Sequence, residues 1–406
     1  MHRSQKYKTH KRSLATAITR RGLLRSTVVA STALAMGWES VLGEAKLVCD
    51  QALSGGKLIR TLRFEDEQRT RYHRRSQQGW DGRLYADLSL ITADKPLMSN
   101  QQFFIRTMAP DGLKQRQPWQ LRIGGLLDSL KQSKQLSMTQ LLPLVKPQGA
   151  LVLECSGNWG EGFALMSAAS WRGILIEDLL KLVSPNANAT QLLISGFDRH
   201  TSASRYSTPG ASWVFSLAQL REAGAFLATH MNGEPLSPDH GAPLRLLVPG
   251  WYGCTAIKWV NELRLVDKAE PATAQMKEFA QRTHQHGVPD LARHFSPALA
   301  DQAAMPVRVE QWQVGGNTSY RVIGILWGGQ RPVKHLTLRF NPGEKYLPVT
   351  ICPAMQHNQP WTLWSHVWHP RAPGNYVMRA RIDDYGIHTN RLDMGWYDRR
   401  VNISQA

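Results

Sequence analysis

Met231-Asn-Gly-Glu-Pro-Leu-Ser-Pro-Asp-His-Gly-Ala-Pro-Leu-Arg-Leu-Leu-Val-Pro-Gly-Trp-Tyr-Gly-Cys-Thr-Ala-Ile-Lys-Trp259 is dense in turn residues. Gly and Pro at this frequency force the backbone through tight turns. One apolar run, Leu244–Val248, reads as a strand stopped by Pro249-Gly250. The turns bring His240, Arg245 and Lys258 into one short span. Three potential cations held this way suit a phosphate. Scattered surface charge is the competing reading.

Upstream, the chain alternates. Trp119–Ile123, Leu151–Cys155 and Leu192–Ser195 read as strands, and Gly124-Gly125 as a turn. Ile174–Leu182 and Leu217–His230 carry helical apolar spacing. Cys155 ends an apolar strand and enters the loop Ser156-Gly-Asn-Trp-Gly160. A thiolate at a strand end can ligate a soft metal or act as a nucleophile, and a buried apolar cysteine is the bland alternative.

Downstream, residues 268–303 read as an uneven linker. Its His284, His286 and His294 have no standard metal-ligand spacing and read as solvated. After Met305 come short β runs at Ser319–Leu326, His335–Phe340, Trp361–His366, Tyr376–Ile382 and Val401–Ile403. Gly and Pro turns separate them, as in a β-sandwich of about 100 residues. Trp364 and Trp368 read as core.

The chain has 406 residues and a formal net charge of +18, from 49 Lys and Arg against 31 Asp and Glu. This balance favours anionic partners without naming one. No nucleic-acid motif accompanies it. Four cysteines in so long a chain make no disulfide scaffold, and no CxxCH or CxxC is present. Residues 1–25 hold eight bases and no acid, followed by the apolar stretch Ser26–Gly37. That is the layout of an export signal, too short to span a bilayer comfortably. Thr19-Arg-Arg-Gly-Leu-Leu-Arg25 resembles a twin-arginine signal. Removing residues 1–45 leaves a charge of +12 and no membrane span in the mature chain. The run Arg69-Thr-Arg-Tyr-His-Arg-Arg75 reads as a solvated face. The expected organisation is a signal over 1–45, an α+β catalytic domain over 46–270, a linker over 271–303 and an all-β domain over 304–406.

Four blocks in order resemble the sulfite oxidase family of molybdopterin-dependent oxidoreductases, over about residues 80–406. They are Phe103-Phe-Ile-Arg106, Glu154-Cys-Ser-Gly-Asn158, the long stretch from Asn232 to Trp259, and Asn390-Arg391…Trp396…Arg399-Arg-Val401. The long block is specific; the others alone are weak. The resemblance implies a sulfite-oxidase-type molybdopterin-binding domain followed by an immunoglobulin-like dimerisation domain. It implies a molybdenum–molybdopterin cofactor with Cys155 as the protein's ligand to the metal. Asp198, His240, Arg245 and Lys258 would hold the pterin and its phosphate. Arg106 and Arg391 would line the substrate pocket, with Arg399 or Arg400 as substitutes for Arg391. Cys49, Cys254 and Cys352 read as structural.

The implied activity is two-electron oxygen-atom transfer at sulfur in a periplasmic protein exported folded. Electrons would pass to an external acceptor, a c-type cytochrome, and the chain would form a homodimer. Three departures weigh against sulfite itself. Met108 stands where the family's sulfite enzymes have a pocket histidine. The Cys loop continues Trp159-Gly-Glu161-Gly162 without an arginine, and Phe279 stands near a family tyrosine. Glu-Cys-Ser-Gly-Asn also looks like the sulfane dehydrogenase branch. The alternatives are an S-oxide reductase and a non-catalytic subunit of a sulfur-oxidising complex.

Overall fold

The computed structural model describes residues 49, 52–65, 83–110, 112–114, 117–128, 132–158, 164–197, 210–329, 331–352 and 360–404. The expected signal, the basic run 69–75, Trp159–Gly162 and Asp198 lie outside the described residues.

The strands of the first part are β1 (Gly56–Leu62), β2 (Gln120–Gly125), β3 (Lys134–Ser137), β4 (Lys146–Glu154), β5 (Met166–Leu175), β6 (Gln191–Gly196), β7 (Ser212–Ser216), β8 (Phe226–Met231), β9 (Glu234–Pro235), β10 (Arg245–Leu247) and β11 (Val260–Val266). The second part holds β12 (Ala303–Val314), β13 (Asn317–Trp327), β14 (Leu336–Arg339), β15 (Leu347–Pro348), β16 (Thr350–Cys352), β17 (Thr362–Trp368), β18 (Gly374–Ile382) and β19 (Arg399–Ile403).

Two sheets are built from β2–β11. One has the order β3-β2-β11-β6-β7, and the other β10-β8-β5-β4 with β9 on β8. β2 follows the period of two: Leu121 and Ile123 are buried while Gln120 and Arg122 face outward. β8 is buried at all but His230, because it pairs with both β5 and β10. The sequence predicts helix from Leu217 to His230. The helix is only Leu217–Glu222, and Gly224 takes φ +62° before the chain turns into β8. Sheet burial overrides the helical spacing there. Described helices are all short, so the α+β expectation gives way to a β-rich fold.

The C-terminal sheets have orders β1-β12-β13-β17-β16 and β15-β14-β18-β19. Val309, Ile325 and Trp364 of the first share one core with Leu338, Met378 and Val401 of the second. Trp364 and Trp368 are both buried, as their sequence setting predicts. A Cβ on Gly324 would meet the Trp364 ring at 2.1 Å, so only glycine lets this indole cross β13.

Two boundaries differ from the sequence reading. β1 pairs antiparallel with β12, and Cys49 forms a disulfide with Cys352 at the end of β16. The segment after the expected signal therefore belongs with the C-terminal sheets. No spacing rule reveals a strand whose partner lies some 250 residues away. Residues 271–303 contain a helix, Ala274–Phe279, capped by Thr273, followed by 3-10 turns at Ala280–Thr283 and Ala292–His294. This stretch packs through Met276, Ala280 and Phe295 into the core that the β3-β2-β11-β6-β7 sheet shares, so it belongs to that domain.

Candidate active site

Cys155 stands where β4 leaves its sheet. Its amide donates to the Leu165 carbonyl at 2.9 Å, and its carbonyl accepts from the Asn158 amide at 2.9 Å. The Asn158 side-chain oxygen accepts from the Leu165 amide at 3.1 Å, closing the loop. The Gly157 amide points at Cys155 Sγ, 3.4 Å away. Hydrogen bonds of this kind orient a metal-ligating sulfur. A Cβ on Gly253 would lie 3.0 Å from the Glu154 carbonyl oxygen, so the turn after Tyr252 presses directly on the Cys strand.

Glu154 is buried behind the loop. Oε1 accepts from the Tyr397 hydroxyl at 2.7 Å and from Asn158 Nδ2 at 3.1 Å; Oε2 accepts from Trp327 Nε1 at 2.8 Å. Three buried donors on one carboxylate fix the strand end against the C-terminal sheets. Sequence reasoning passed over Glu154. A carboxylate closing an apolar strand was its available signal.

The long turn-rich stretch supplies the basic end. Ser237 caps the 3-10 turn Pro238–His240. His240 Nε2 lies 3.2 Å from the Phe103 carbonyl, which only accepts, so Nε2 carries the proton. Nδ1 then accepts from the Ser237 hydroxyl at 2.8 Å. Burial, with Arg245 close by, pushes His240 down to about 4, so the ring is neutral at pH 7. Arg245 Nη1 donates to the His240 carbonyl at 3.2 Å. Burial lowers its guanidinium to about 10. Lys258 Nζ donates to the Thr107 carbonyl and to the Asp239 carbonyl, the latter at 2.8 Å. Gly241 has φ +104°, and a Cβ there would sit 2.9 Å from Lys258 Cγ. Glycine allows both the turn and the lysine's approach.

These groups meet in one cleft, whose lining includes Arg106, Cys155, Arg245, Lys258 and Phe279. His240 is buried and does not line it; its carbonyl accepts from Arg245, which does. Cys254 also lines it, and burial pushes its thiol up to about 12, consistent with a structural neutral thiol. Arg391 departs from the sequence expectation. It is fully buried and does not line the cleft. Its Nη2 donates to the carbonyls of Ser156 at 2.9 Å and Arg282 at 2.6 Å. Its guanidinium stacks 3.9 Å from the Tyr252 ring centroid and 4.6 Å from that of Trp396. Arg399 is buried over the Phe64 ring and Arg400 is exposed on β19, so neither replaces it in the cleft. His284 pairs with Asp301 at 2.9 Å.

No described group of three or more His, Cys, Asp or Glu side chains has a metal-holding arrangement. A metal at Cys155 needs further donors, and a cofactor can bring them. The cleft fits such a group. Arg245 Nε and Trp171 Nε1 are buried donors without a hydrogen-bond partner, and Arg245 lies 6.0 Å from the Trp171 ring. Buried donors left over are satisfied by an acceptor-rich ligand. Soft sulfur at one point of the cleft and phosphate-binding cations at another match a metal carried by a phosphorylated organic chelate.

Residues 108–274 match the family described as oxidoreductase molybdopterin binding domain. Mitochondrial sulfite oxidase of Rattus norvegicus is 23% identical over 340 residues, 77% of this chain and 60% of that protein. The Drosophila melanogaster sulfite oxidase is 27% identical over 344 residues, 75% of this chain and 56% of that protein. The NADPH nitrate reductase of Aspergillus niger is 29% identical over 187 residues, 42% of this chain and 21% of that protein. The chain thus spans less than two thirds of the length of these relatives. The crystal structure of the sulfane dehydrogenase SoxCD from Paracoccus pantotrophus superposes with a TM-score of 0.61 at 16% identity, covering 82% of this chain and 89% of that one.

Proposed function

We propose, from the premise that this chain belongs to the sulfite oxidase family of molybdopterin-dependent oxidoreductases, that it oxidises a sulfur centre with a molybdenum–molybdopterin cofactor held in the cleft at Cys155. The observation that carries this reading is one cleft lined by Cys155 Sγ, Arg106, Arg245 and Lys258. When bound, the cofactor supplies two-electron redox chemistry and oxygen-atom transfer.

The chain's own residues hold and orient. Cys155 provides the protein ligand, and the Gly157 amide steadies its sulfur. Arg245 and Lys258 meet the phosphate end, with the neutral His240 ring fixing the Arg245 backbone partner. Arg106 offers a planar cation to an anionic sulfur group. Arg391 acts as a positioning residue by tying Ser156 to residue 282. Asp198 remains a proposed cofactor contact.

Met108 and Phe279 favour a substrate larger or less charged than sulfite, in keeping with a sulfane. Phe279 lines the cleft where a phenol would otherwise add a donor. Electrons would leave to an external c-type cytochrome. A periplasmic location is supported by the twin-arginine-like N-terminus and by the Cys49–Cys352 disulfide, since such bonds persist in oxidising compartments. The two C-terminal sheets would form an immunoglobulin-like dimerisation domain. No helix among the described residues is long and apolar enough to cross a membrane.

Metal and pterin analysis of the exported protein, followed by assays with sulfite, thiosulfate, protein-bound sulfane and sulfoxides, tests the reading. Molybdenum loading with ferricyanide-coupled oxidation supports it. Full loading with activity only toward S-oxides and reduced dye reverses the direction. Little bound metal and a stable heteromeric partner mark a non-catalytic subunit.

A further inference from the structure

β6 and β7 border a second hollow, which shares no described lining residue with the cleft at Cys155. Its walls are aromatic. Trp213 of β7, Trp251 after β10 and Phe295 after the turn Ala292–His294 line it, and all three are buried. The two indoles are braced by one ring: the Phe215 centroid lies 5.5 Å from that of Trp251 and 6.4 Å from that of Trp213. Gln191, 5% exposed, opens β6 in the same lining. Its backbone pairs with Val266 on one side and Ser216 on the other, so its side chain is what it brings to the hollow. Its Oε1 is buried with no hydrogen-bond partner, and so is the adjacent Thr190 Oγ1. Ser216 and Gln219 line the hollow too, but their side chains accept from each other's amides in a capping box. A buried acceptor without a donor costs about 1–3 kcal/mol, and a ligand that brings the donor removes that cost. Lys268 and Arg293 stand exposed in the lining, and neither Asp nor Glu is among the described lining residues.

We propose that this hollow is a binding site for a small aromatic acid carrying a ring hydroxyl, separate from the redox site. Trp213, Trp251 and Phe295 offer apolar faces to a flat ring. The Gln191 carboxamide oxygen only accepts, so it calls for a donor such as a phenol O–H. Lys268 and Arg293 suit a carboxylate at the solvent end of the ring. An apolar pocket with a few placed polar groups is the usual make-up of a small-molecule site.

Calorimetric titration of the full exported protein with 4-hydroxybenzoate tests the site, with benzoate and phenol as probes that each lack one group. 4-Hydroxybenzoate is expected to bind once per chain, about 10-fold tighter than benzoate. Gln191→Leu should erase that preference, so that the two acids bind alike. The double variant Lys268→Ala, Arg293→Ala should weaken 4-hydroxybenzoate about 5- to 20-fold and leave phenol unchanged. Both of its positions are exposed, so it carries the test if Gln191→Leu fails to fold. Its molybdenum content should equal that of the parent, since neither residue lines the cleft. No saturable binding up to about 10 mM, or affinities unaltered by either variant, overturns the proposal and leaves the two oxygens to water. None of these titrations reads turnover, so failure here is distinct from failure of the sulfur-oxidation reading.

Discussion

The Tyr397 hydroxyl donates to Glu154 Oε1 at 2.7 Å, joining the C-terminal sheets to the residue that precedes Cys155. Desolvation, reinforced by Glu154, raises the phenol well above its usual range, so it stays a donor at any working pH. Trp327 Nε1 holds the other carboxylate oxygen, and Arg391 Nη1 stands 4.0 Å from the first. The Cys loop is thus held from the domain behind it.

Removing one of these donors leaves a buried acceptor short of a partner. Tyr397→Phe is expected to cost about 1.5–3 kcal/mol of stability, the range for hydrogen bonds to charged groups. Denaturant titration should show a lower midpoint at unchanged slope. An unchanged midpoint would mean that Glu154 does not anchor the Cys loop.

Gly241 sits at φ +104° with Lys258 packed where a Cβ would go. Gly241→Ala strains the backbone and displaces the lysine. Molybdenum and pterin content per chain should drop severalfold while the C-terminal core, which includes none of the residues packed on Gly241, keeps its near-ultraviolet signature. Full cofactor content in this variant contradicts the assignment of Lys258.

His240 links acidity to stability. Its folded value is about 4, below the ordinary 6.5. Between those values the unfolded chain binds a proton that the folded chain does not. The His240 contribution to stability is therefore flat above pH 6.5 and falls as the pH drops toward 4, by on the order of 3 kcal/mol at the end. Urea midpoints at pH 7.5, 6 and 5 should converge between wild type and His240→Gln as the pH falls. Parallel curves for the two proteins contradict the buried neutral imidazole.

The Cys49–Cys352 bond ties the segment before β1 to β16 across 303 residues of sequence. Cys352→Ser should cost about 2–5 kcal/mol, as for native disulfides in general. Wild type treated with reductant should fall to the same melting temperature. If the serine variant melts with the oxidised parent, the bond is not structural.

The sequence made the turn-rich basic stretch and the strand ending at Cys155 legible, because Gly, Pro and alternating apolar residues act locally. Cys155, Arg245, Lys258 and Arg106 do line one cleft. The pairing of β1 with β12, the role of Glu154 and the burial of Arg391 were not legible. Each depends on a partner that only the folded chain brings near, such as Tyr397 for Glu154 and Arg282 for Arg391. Residues 271–303, read as a linker for want of periodicity, supply Phe279 to the cleft and the Arg282 carbonyl to Arg391, because one six-residue helix and short 3-10 turns carry no long repeating pattern.

Cofactor binding through a single protein sulfur is the central claim, and molybdenum K-edge absorption of the parent and of Cys155→Ser measures it directly. The predicted spectrum of the serine variant has one sulfur scatterer fewer at equal metal and pterin content. An identical sulfur shell in the two proteins would contradict ligation by Cys155.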